Sequence, residues 1–336
     1  MKSVAFFNNK GGVGKTTLLC NLAAYISINE KKRVLVVDAD PQCNATQMVF
    51  SDSEIEDLYG GSGKAFTINK LIEPISQGRG YAPDAEVFRR DEFNFDILIG
   101  DPKLSLMEDL LAKDWGSSLG GDIRGLRTNY VFRDMLSKFN DYDYVFFDMG
   151  PSLGSINRAA LLASDYFITP MSIDIFSLRA IENIQIALEK WRKQISTAHQ
   201  QVEADDQSDF GELGNGFNIA FAGYVTQQYI AKQKDGVRRA VAAYEKIYRK
   251  VDPTIRKCFG SDLSLIKDDI NYLLGTVPNL HSLISLSQFA HKPIFELKAK
   301  DGVRGAHFSK VKDAEKIYRE ISQNLITNIE HLGASG

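Results

Sequence analysis

The sequence predicts an α/β fold with a doubly wound, mostly parallel sheet flanked by helices. Short apolar runs alternate with segments of helical apolar spacing, which is the order of a parallel sheet with crossover helices. The runs are near-continuously apolar, as expected of strands covered on both faces. A glycine-rich loop also joins the first run to the first helical segment. The seven candidate strands are 4–7, 33–37, 95–99, 144–147, 166–169, 218–225 and 276–277.

Three of these strands end at residues that carry chemistry. The first, 4–7, runs into the glycine-rich loop at residues 10–17 and then into helical spacing over 18–28. The second ends in Asp38-Ala39-Asp40, and the strand at 144–147 ends in Asp148. Because ligands of parallel sheets bind at the carboxyl ends of the strands, we expect these groups to meet at one edge.

The composition excludes several classes of protein. The chain has 336 residues, of which 44% are hydrophobic and 25% charged, and no apolar run is long enough for a transmembrane helix. The first strand begins at the N-terminus, so we expect no signal peptide. Cys20, Cys43 and Cys258 lack the spacing of a metal or redox site, which favours a cytoplasmic protein.

We expect one elaborated domain over residues 1–336. Three stretches have the composition of loops or insertions, and one of them, 201–216, holds five acidic residues and no basic ones. Another contains four consecutive residues Gly-Gly-Ser-Gly at 60–63. The three stretches are 51–64, 107–127 and 201–216.

Residues 10–17, Lys-Gly-Gly-Val-Gly-Lys-Thr-Thr, predict a phosphate-binding loop, called the P-loop below. Its glycines allow backbone N–H groups to turn towards phosphate oxygens at a helix N-terminus. In such loops Lys15 reaches the β- and γ-phosphates and the Thr16 hydroxyl ligates Mg²⁺. The predicted nucleotide-binding residues of the loop are Lys10, Gly11, Gly12, Val13, Gly14, Lys15, Thr16 and Thr17.

Acidic residues supply the rest of the predicted site. Two carboxylates beside a triphosphate, Asp38 and Asp40, can hold Mg²⁺-bound water and position an attacking water. Asp148 ends a buried strand as a single carboxylate, the pattern of a Walker B magnesium ligand. Residues 149–154, Met-Gly-Pro-Ser-Leu-Gly, follow it and combine Gly and Pro in a loop suited to respond to a γ-phosphate. They are called the switch segment below.

The P-loop departs from the ordinary pattern, because Asn9 replaces its first glycine and Lys10 adds a second lysine. This form resembles the deviant Walker A loop of the ParA/MinD (Soj-like) ATPases. The stretch 38–42 is similar to their D-x-D-P-Q motif, and residues 148–154 resemble their D-x-x-P-S-L-G segment, with Gly150 in place of a frequent proline. The resemblance implies ATP and Mg²⁺ as cofactors, Asp40 as the hydrolytic carboxylate and Asp38 in the metal shell.

The same resemblance implies further roles. In that family the extra lysine, here Lys10, crosses an ATP-dependent homodimer interface to the nucleotide of the other subunit. Lys10, Lys15 and Asp40 are therefore the expected catalytic residues, and Thr16, Asp38 and Asp148 the expected metal-binding ones. Pro278 and Thr226 match the positions that line the adenine site. Slow hydrolysis, stimulated by a ParB-like partner, is the expected activity.

Basic residues concentrate in the last third of the chain. Residues 217–336 carry 18 Lys and Arg against 12 Asp and Glu, although the whole chain has a net charge of −3. Nine of these basic residues lie within 232–257, called the basic cluster below. ParA-like ATPases commonly bind DNA non-specifically through phosphate contacts, and we expect a helix that carries this cluster to bind DNA. The candidate DNA-binding residues are Arg238, Arg239, Lys246, Arg249 and Lys250. A solvated basic helix face is the alternative.

Two further questions stay open. A C-terminal stripe at Ile321, Leu325, Ile329 and Leu332 fits packing against the domain better than a membrane surface, because no Lys or Arg follows Arg319. The expected task is partition of a plasmid or chromosome, in a cytoplasmic protein that associates with the nucleoid if it binds DNA. The alternative is a regulatory ATPase switch that controls a protein partner in positioning, a mobile element or a defence cassette. An enzyme acting on a small molecule would need a second polar pocket, for which no motif appears.

Overall fold

The computed structural model describes residues 1–60, 65–202, 216–229, 231–234, 237–240, 242–260 and 265–333, with side chains left out at 228–244 and at 281. Its centre is an eight-stranded sheet with the order β10-β7-β6-β1-β5-β2-β4-β3. All neighbouring strands are parallel except β3 and β4, which pair antiparallel at one edge. The strands of this sheet are β1 (Lys2–Phe6), β2 (Val34–Asp38), β3 (Phe88–Arg90), β4 (Phe95–Leu98), β5 (Tyr144–Asp148), β6 (Tyr166–Ser172), β7 (Ala220–Tyr229) and β10 (Leu273–Pro278).

Helices cover both faces of this sheet. On one face the core includes residues from α1 (Lys15–Asn29) and α12 (His307–Gly333), and on the other from α8 (Ser155–Ala163) and α9 (Ile175–Gln201). The doubly wound parallel fold that the sequence predicts is confirmed. The remaining helices are α2 (Asn44–Val49), α3 (Asp52–Tyr59), α4 (Asn69–Ser76), α5 (Glu108–Ser118), α6 (Ile123–Asn129), α7 (Val131–Ser137), α10 (Ala242–Gly260) and α11 (His281–Ala290), with 3-10 turns at Pro102–Met107, Ile294–Glu296 and Ala299–Asp301.

Two of the stretches expected as loops or insertions are largely helical. Ser51 Oγ accepts a hydrogen bond from the Glu54 N–H, and the Glu54 carboxylate accepts one from the Ser51 N–H, a capping box that starts α3. The stretch 107–127 contains α5 and the beginning of α6, and the Asp122 side chain caps α6. Of the third stretch, residues 203–215 lie outside the described part, as do 61–64 of the first.

We expected the basic cluster to lie on one helix, but the structure divides it between a strand and a helix. Arg238 and Arg239 belong to β9 (Val237–Ala240), which pairs antiparallel with β8 (Ala231–Lys234) in a separate two-stranded sheet. The ladder places Arg239 opposite Lys232 and holds this backbone extended, so α10 begins only at Ala242. Lys246, Arg249 and Lys250 are on α10 and are exposed. The side chains of Arg238 and Arg239 lie outside the described atoms.

The C-terminal stripe packs into the core. Ile321, Leu325 and Ile329 are fully buried, and Leu332 packs against the same cluster at its edge. Asn328 of the same helix donates hydrogen bonds of 2.9 Å to the carbonyls of Ala222 and Asn271. Within the described ranges, we find no helix with the length and apolar character to cross a membrane.

Candidate nucleotide site

Strand register gathers the predicted site at one edge of the sheet. β5 lies between β1 and β2, and Asp38 at the end of β2 stands directly opposite Asp148 at the end of β5. Phe6 at the end of β1 is also in register with Asp148, so the P-loop leaves the sheet beside that carboxylate. The sheet therefore brings together, at one point, groups separated by more than 100 residues.

The P-loop has the backbone that phosphate binding requires. Gly12 and Gly14 adopt left-handed conformations with φ of 71° and 73°, which residues with a Cβ adopt at a cost. Gly14 is the N-cap of α1 and provides no side-chain cap for the first N–H groups of the helix. Gln227 at the end of β7 donates a 3.1 Å hydrogen bond to the Gly14 carbonyl. The loop thus presents N–H groups that a phosphate can accept from.

Lys15 and Thr16 lie at the centre of the site. Lys15 is only 8% exposed, and burial lowers the pKa of its ammonium, although the nearby Asp148 and Asp40 oppose that shift. The Thr16 hydroxyl donates a 2.7 Å hydrogen bond to Asp148 Oδ2. Lys15, the predicted phosphate ligand, therefore lies near Thr16 and Asp148, two of the three predicted metal-binding residues.

Asp38 and Asp148 are fully buried carboxyls. Burial raises the pKa of Asp38 to about 7 despite hydrogen bonds to its Oδ2 from the Thr46 N–H at 2.8 Å and hydroxyl at 2.7 Å. Burial and the neighbouring Asp38 raise the pKa of Asp148 to about 8, against the hydrogen bond from Thr16. Among the described residues, Oδ1 of each carboxyl has no hydrogen-bond partner.

These groups fit a magnesium ion that is completed by phosphate. Mg²⁺ prefers oxygen ligands and usually takes one or two protein groups, with waters and substrate phosphates filling the rest. The Thr16 hydroxyl and the unpartnered Asp148 Oδ1 are such ligands. The described ranges contain no cluster of three or more His, Cys, Asp or Glu side chains arranged around a metal.

Asp40 lies beside the switch segment. It is 5% exposed, and its Oδ1 accepts a 3.0 Å hydrogen bond from the Gln42 N–H. A Cβ at Gly150 would be 3.3 Å from the same oxygen, so the backbone of the switch segment passes close to this carboxylate. Asp40, Lys15 and Pro151 line a cavity of about 910 Å³ that extends to Phe289 of α11. The space above the P-loop is large enough for a nucleoside triphosphate.

Lys10 does not line this cavity. Its ammonium forms an ion pair with Asp174, and Ser177 Oγ lies 3.5 Å from the same nitrogen. Although partial burial opposes it, the hydrogen bonds from Lys10 and the Ser177 N–H hold the pKa of Asp174 below its usual value. Lys10 is therefore held by its own chain, at the N-terminus of α9.

The two predicted adenine contacts do not line the cavity. Thr226 is fully buried in β7, and its hydroxyl is 2.8 Å from that of Thr276 in β10. Pro278 ends β10 and lies outside the lining of the cavity. The burial of Thr226 argues against a direct side-chain contact with a base.

Sequence reasoning missed three residues around this site. Asp174 had a usable signal, because it precedes a helix as an N-cap and accepts from Ser177 three residues later. Gln227 and Glu108 had none, since their partners at Gly14 and Ser155 are distant in the chain. Only the folded sheet brings them together.

A protein with this sheet order, a glycine-rich loop before α1 and carboxylates at the neighbouring strand ends is a P-loop nucleotide-binding protein. A family model described as an AAA domain matches residues 1–201, more than half of the chain. The chain is 29% identical over 185 residues to a virulence plasmid ParA family protein of Chlamydia psittaci, which covers 55% of this chain and 62% of that relative. The matched part thus spans less than two thirds of that relative's length.

One further sequence relative and one solved structure are also similar to this chain. The chain is 27% identical over 231 residues to the chromosome-partitioning ATPase Soj of Thermus thermophilus, covering 63% of this chain and 78% of Soj. A crystal structure of a Corynebacterium diphtheriae protein superposes with a TM-score of 0.71 at 32% identity, covering 87% of this chain and 97% of that one. The chain belongs to the ParA family of P-loop ATPases.

Proposed function

We propose that this protein is a Mg²⁺-dependent ATPase that works as an ATP-induced dimer switch in DNA partition. The observation that supports it best is the contact between Thr16 and Asp148 beside the buried Lys15, at the head of a cavity of nucleotide size. A phosphate, its metal and its lysine would all meet at that point. The activity is proposed to be slow and stimulated by a ParB-like partner, in a cytoplasmic protein associated with the nucleoid.

Each residue has one role in this proposal. The N–H groups of residues 11–17 and Lys15 bind the phosphates, and Thr16 with Asp148 holds the metal, supported by Asp38. Bound Mg²⁺ would neutralise charge on the β- and γ-phosphates. Asp40, which lines the cavity, orients the attacking water. Its Oδ1 accepts a hydrogen bond from the Gln42 N–H at 3.0 Å, and its Oδ2 accepts a long one from the Asn44 side-chain amide at 3.5 Å. Its place next to the backbone of Gly150 lets the switch segment respond to the γ-phosphate.

The proposed dimer requires Lys10 to leave Asp174. In its present position Lys10 is paired with Asp174 and does not line the nucleotide cavity of its own chain. We propose that ATP binding favours a second copy, into whose site Lys10 projects. Hydrolysis then removes the γ-phosphate and the dimer opens.

Two measurements test the ATPase and the dimer together. Calorimetry should show ATP binding that weakens when Mg²⁺ is chelated. Light scattering should show Asp40→Ala as a dimer with ATP and a monomer with ADP, because binding survives while hydrolysis stops. Asp52→Ala, which also removes a carboxylate from the cavity lining, is the matched control and should hydrolyse ATP like the wild type. Normal turnover by Asp40→Ala would assign the attacking water to another group.

The proposed DNA contact lies on α10. Lys246, Arg249 and Lys250 are exposed at helical spacing, while Val251 and Ile255 bury the opposite face. Each lysine that neutralises a phosphate steepens the salt dependence of binding by about one unit of log–log slope. Lys246→Glu/Lys250→Glu should therefore weaken ATP-dependent binding to non-specific duplex and reduce that slope by about two. Lys310→Glu/Lys312→Glu, the same charge change on exposed residues of α12, should leave both unchanged.

A second function, control of a protein partner without DNA binding, is favoured by one observation. Two arginines of α10 are paired with acids of the same helix, Arg249 with Glu245 at 2.6 Å and Arg256 with Asp252 at 2.9 Å. Together with the net charge of −3, these pairs reduce the positive potential available to a phosphate backbone. An ATP-dependent dimer that binds no duplex at low salt would favour this second function.

A further inference from the structure

Helix α8, which follows the switch segment, has an N-terminus capped from a distant part of the chain. Its N-cap residue, Gly154, has no side chain to accept from the first N–H groups. The two carboxylate oxygens of Glu108 take that place, Oε1 accepting from the Ser155 N–H and Oε2 from the Ile156 N–H at 3.1 Å. A carboxylate there also complements the positive end of the helix dipole.

Gly154 permits this approach. A Cβ on Gly154 would lie 2.5 Å from Glu108 Oε1, a distance at which one of the two must move. The φ of Gly154 is −80°, so its backbone conformation does not itself require glycine. The reason for glycine at this position is the space that the Glu108 carboxylate occupies.

The capped end of α8 also holds the switch segment. Asn157, in the first turn of α8, donates hydrogen bonds to the carbonyls of Gly150 at 2.8 Å and Ser152 at 2.6 Å. The backbone of Gly150 in turn lies beside Asp40, and Pro151 is 3.9 Å from where a Cβ on Gly11 would be. The position of the α8 N-terminus therefore sets how the switch segment meets Asp40 and the P-loop.

A second contact fixes α8 to α5, the helix that carries Glu108. The buried Arg158 guanidinium lies 4.0 Å from the centre of the Trp115 ring. It also donates a 3.4 Å hydrogen bond to the Leu111 carbonyl. Burial lowers the pKa of Arg158 to about 10, although the Glu108 carboxylate opposes this. Helices α5 and α8 are thus joined at two points.

We propose that Glu108 is a positioning residue for hydrolysis, through which α5 sets the switch segment against Asp40. The inference rests on the proposed ATPase function. Glu108 does not line the nucleotide cavity, so it acts on the attacking water only through α8 and the switch segment. Its loss should lower the rate of the chemical step and leave nucleotide binding unchanged.

Glu108→Gln tests the inference, because the amide keeps the size of the side chain but loses the charge and one acceptor. At saturating ATP and Mg²⁺, kcat should fall about tenfold or more, since small displacements of a positioned group have effects of this size. The Kd for ATP should stay within about twofold of the wild-type value. Amide hydrogen exchange over 149–157 should become faster in the variant.

Asp109→Asn is the matched control, because Asp109 is the exposed neighbour of Glu108 in the first turn of α5. It should keep the wild-type kcat. Gly154→Ala displaces the Glu108 carboxylate without changing it and should reproduce the loss of kcat at unchanged ATP affinity. A parallel fall of kcat, ATP affinity and melting temperature in both variants would indicate a merely structural role and overturn the proposal.

The remaining outcomes separate the inference from the function on which it rests. If the wild type hydrolyses ATP and Glu108→Gln has the same kcat, the positioning role of Glu108 is overturned and the proposed ATPase function stands. A wild type that binds ATP and never hydrolyses it contradicts the proposed function. In that case equal exchange over 149–157 in the wild type and Glu108→Gln overturns the inference too, and faster exchange in the variant supports its structural step.

Discussion

Lys10 forms an ion pair with Asp174 of its own chain, at the N-terminus of α9. The lysine side chain is 31% exposed and that of Asp174 is 35% exposed, so solvent screens the pair only in part. Asp174 also accepts a 3.0 Å hydrogen bond from the Ser177 N–H and caps the helix. In the dimer that we propose, Lys10 would have to leave this pair, so Asp174 acts as an internal competitor for it.

Removing that competitor should strengthen the ATP-dependent dimer. In Asp174→Asn the amide can still cap α9, because Asn is as good an N-cap as Asp, but the charge that holds Lys10 is lost. A partly exposed ion pair contributes about 1 kcal/mol. The proposed homodimer breaks one such pair in each subunit, so the substitution should lower the dimer dissociation constant by about thirtyfold. Sedimentation velocity with ATP across protein concentrations measures it.

Glu182→Gln is the matched control for that variant. It removes the partner of an exposed ion pair on the same helix, Arg179 with Glu182 at 2.6 Å. Its dimer constant should equal that of the wild type. Weaker dimerisation of Asp174→Asn would mean that Asp174 belongs to the dimer rather than competing with it.

Lys15→Ala should abolish ATP binding and leave the fold intact. Lys15 is nearly buried between Asp148 and Asp40, so its removal deletes the cation that faces the phosphates and leaves two carboxyls there. Calorimetry should detect no heat of ATP binding, while the circular dichroism spectrum stays that of the wild type. Lys32→Ala, at an exposed lysine after α1, should bind ATP normally. Retained affinity in Lys15→Ala would place the phosphates elsewhere.

The sequence was sufficient for the parts of the fold that depend on local pattern. All seven predicted strands are present. The clearest of them, β1, β2 and β5, are mainly apolar runs that are buried almost throughout. β3 was missed because it is three residues long and lies at the edge of the sheet. The composition of residues 51–64 predicts a loop or insertion, although Ser51 and Glu54 carry the capping-box pattern that starts the helix at Asp52–Tyr59.

The sequence predicts the residues of the candidate site that belong to a motif. It does not predict the residues elsewhere in the chain that form hydrogen bonds or ion pairs with them. Lys15, Thr16 and Asp148 meet because β1 and β5 are neighbours. The sequence predicts that these groups lie at one edge of the sheet, but not the order of the strands. The partners Asp174 and Glu108 are more than 40 residues from the groups that they bind. Such pairs depend on tertiary packing and leave no period or spacing in the sequence.

The stability contributed by Glu54 should depend on pH. Partial burial opposes ionisation, but hydrogen bonds from Ser51 and Arg90 hold the pKa of Glu54 at about 2. An unfolded Glu titrates near 4.3, so the folded state stabilises the charged form. This stabilisation is present above about pH 4.3 and is lost as the pH falls towards 2. Because the Glu54 side chain is 43% exposed, solvent screens much of this effect, and Glu54→Ala should lower the free energy of unfolding by about 1 kcal/mol at pH 7.

Urea unfolding at about pH 7, 5 and 3.5 checks that expectation. The first two values lie above the pKa of an unfolded Glu, and the third lies below it. The difference between the wild type and Glu54→Ala should be equal at the two higher values and smaller at the lowest. Glu56→Ala, at an exposed acid on the same helix, should show no such change. A difference independent of pH would assign the effect to helix propensity rather than to the charge.

Leu325→Ala distinguishes a core helix from a membrane-binding one at the C-terminus. Leu325 is fully buried against the sheet, so truncation leaves a cavity and should cost about 2–5 kcal/mol of stability. A residue that served a membrane surface would be exposed in the isolated protein, and its truncation would cost little stability while weakening binding to anionic vesicles. Thermal unfolding and vesicle co-sedimentation of Leu325→Ala distinguish a core helix from a membrane-binding one. The control is Thr327→Ala, at an exposed position of the same helix. A large fall in melting temperature for Leu325→Ala alone, with no vesicle binding by the wild type, is the outcome that the packing of α12 predicts.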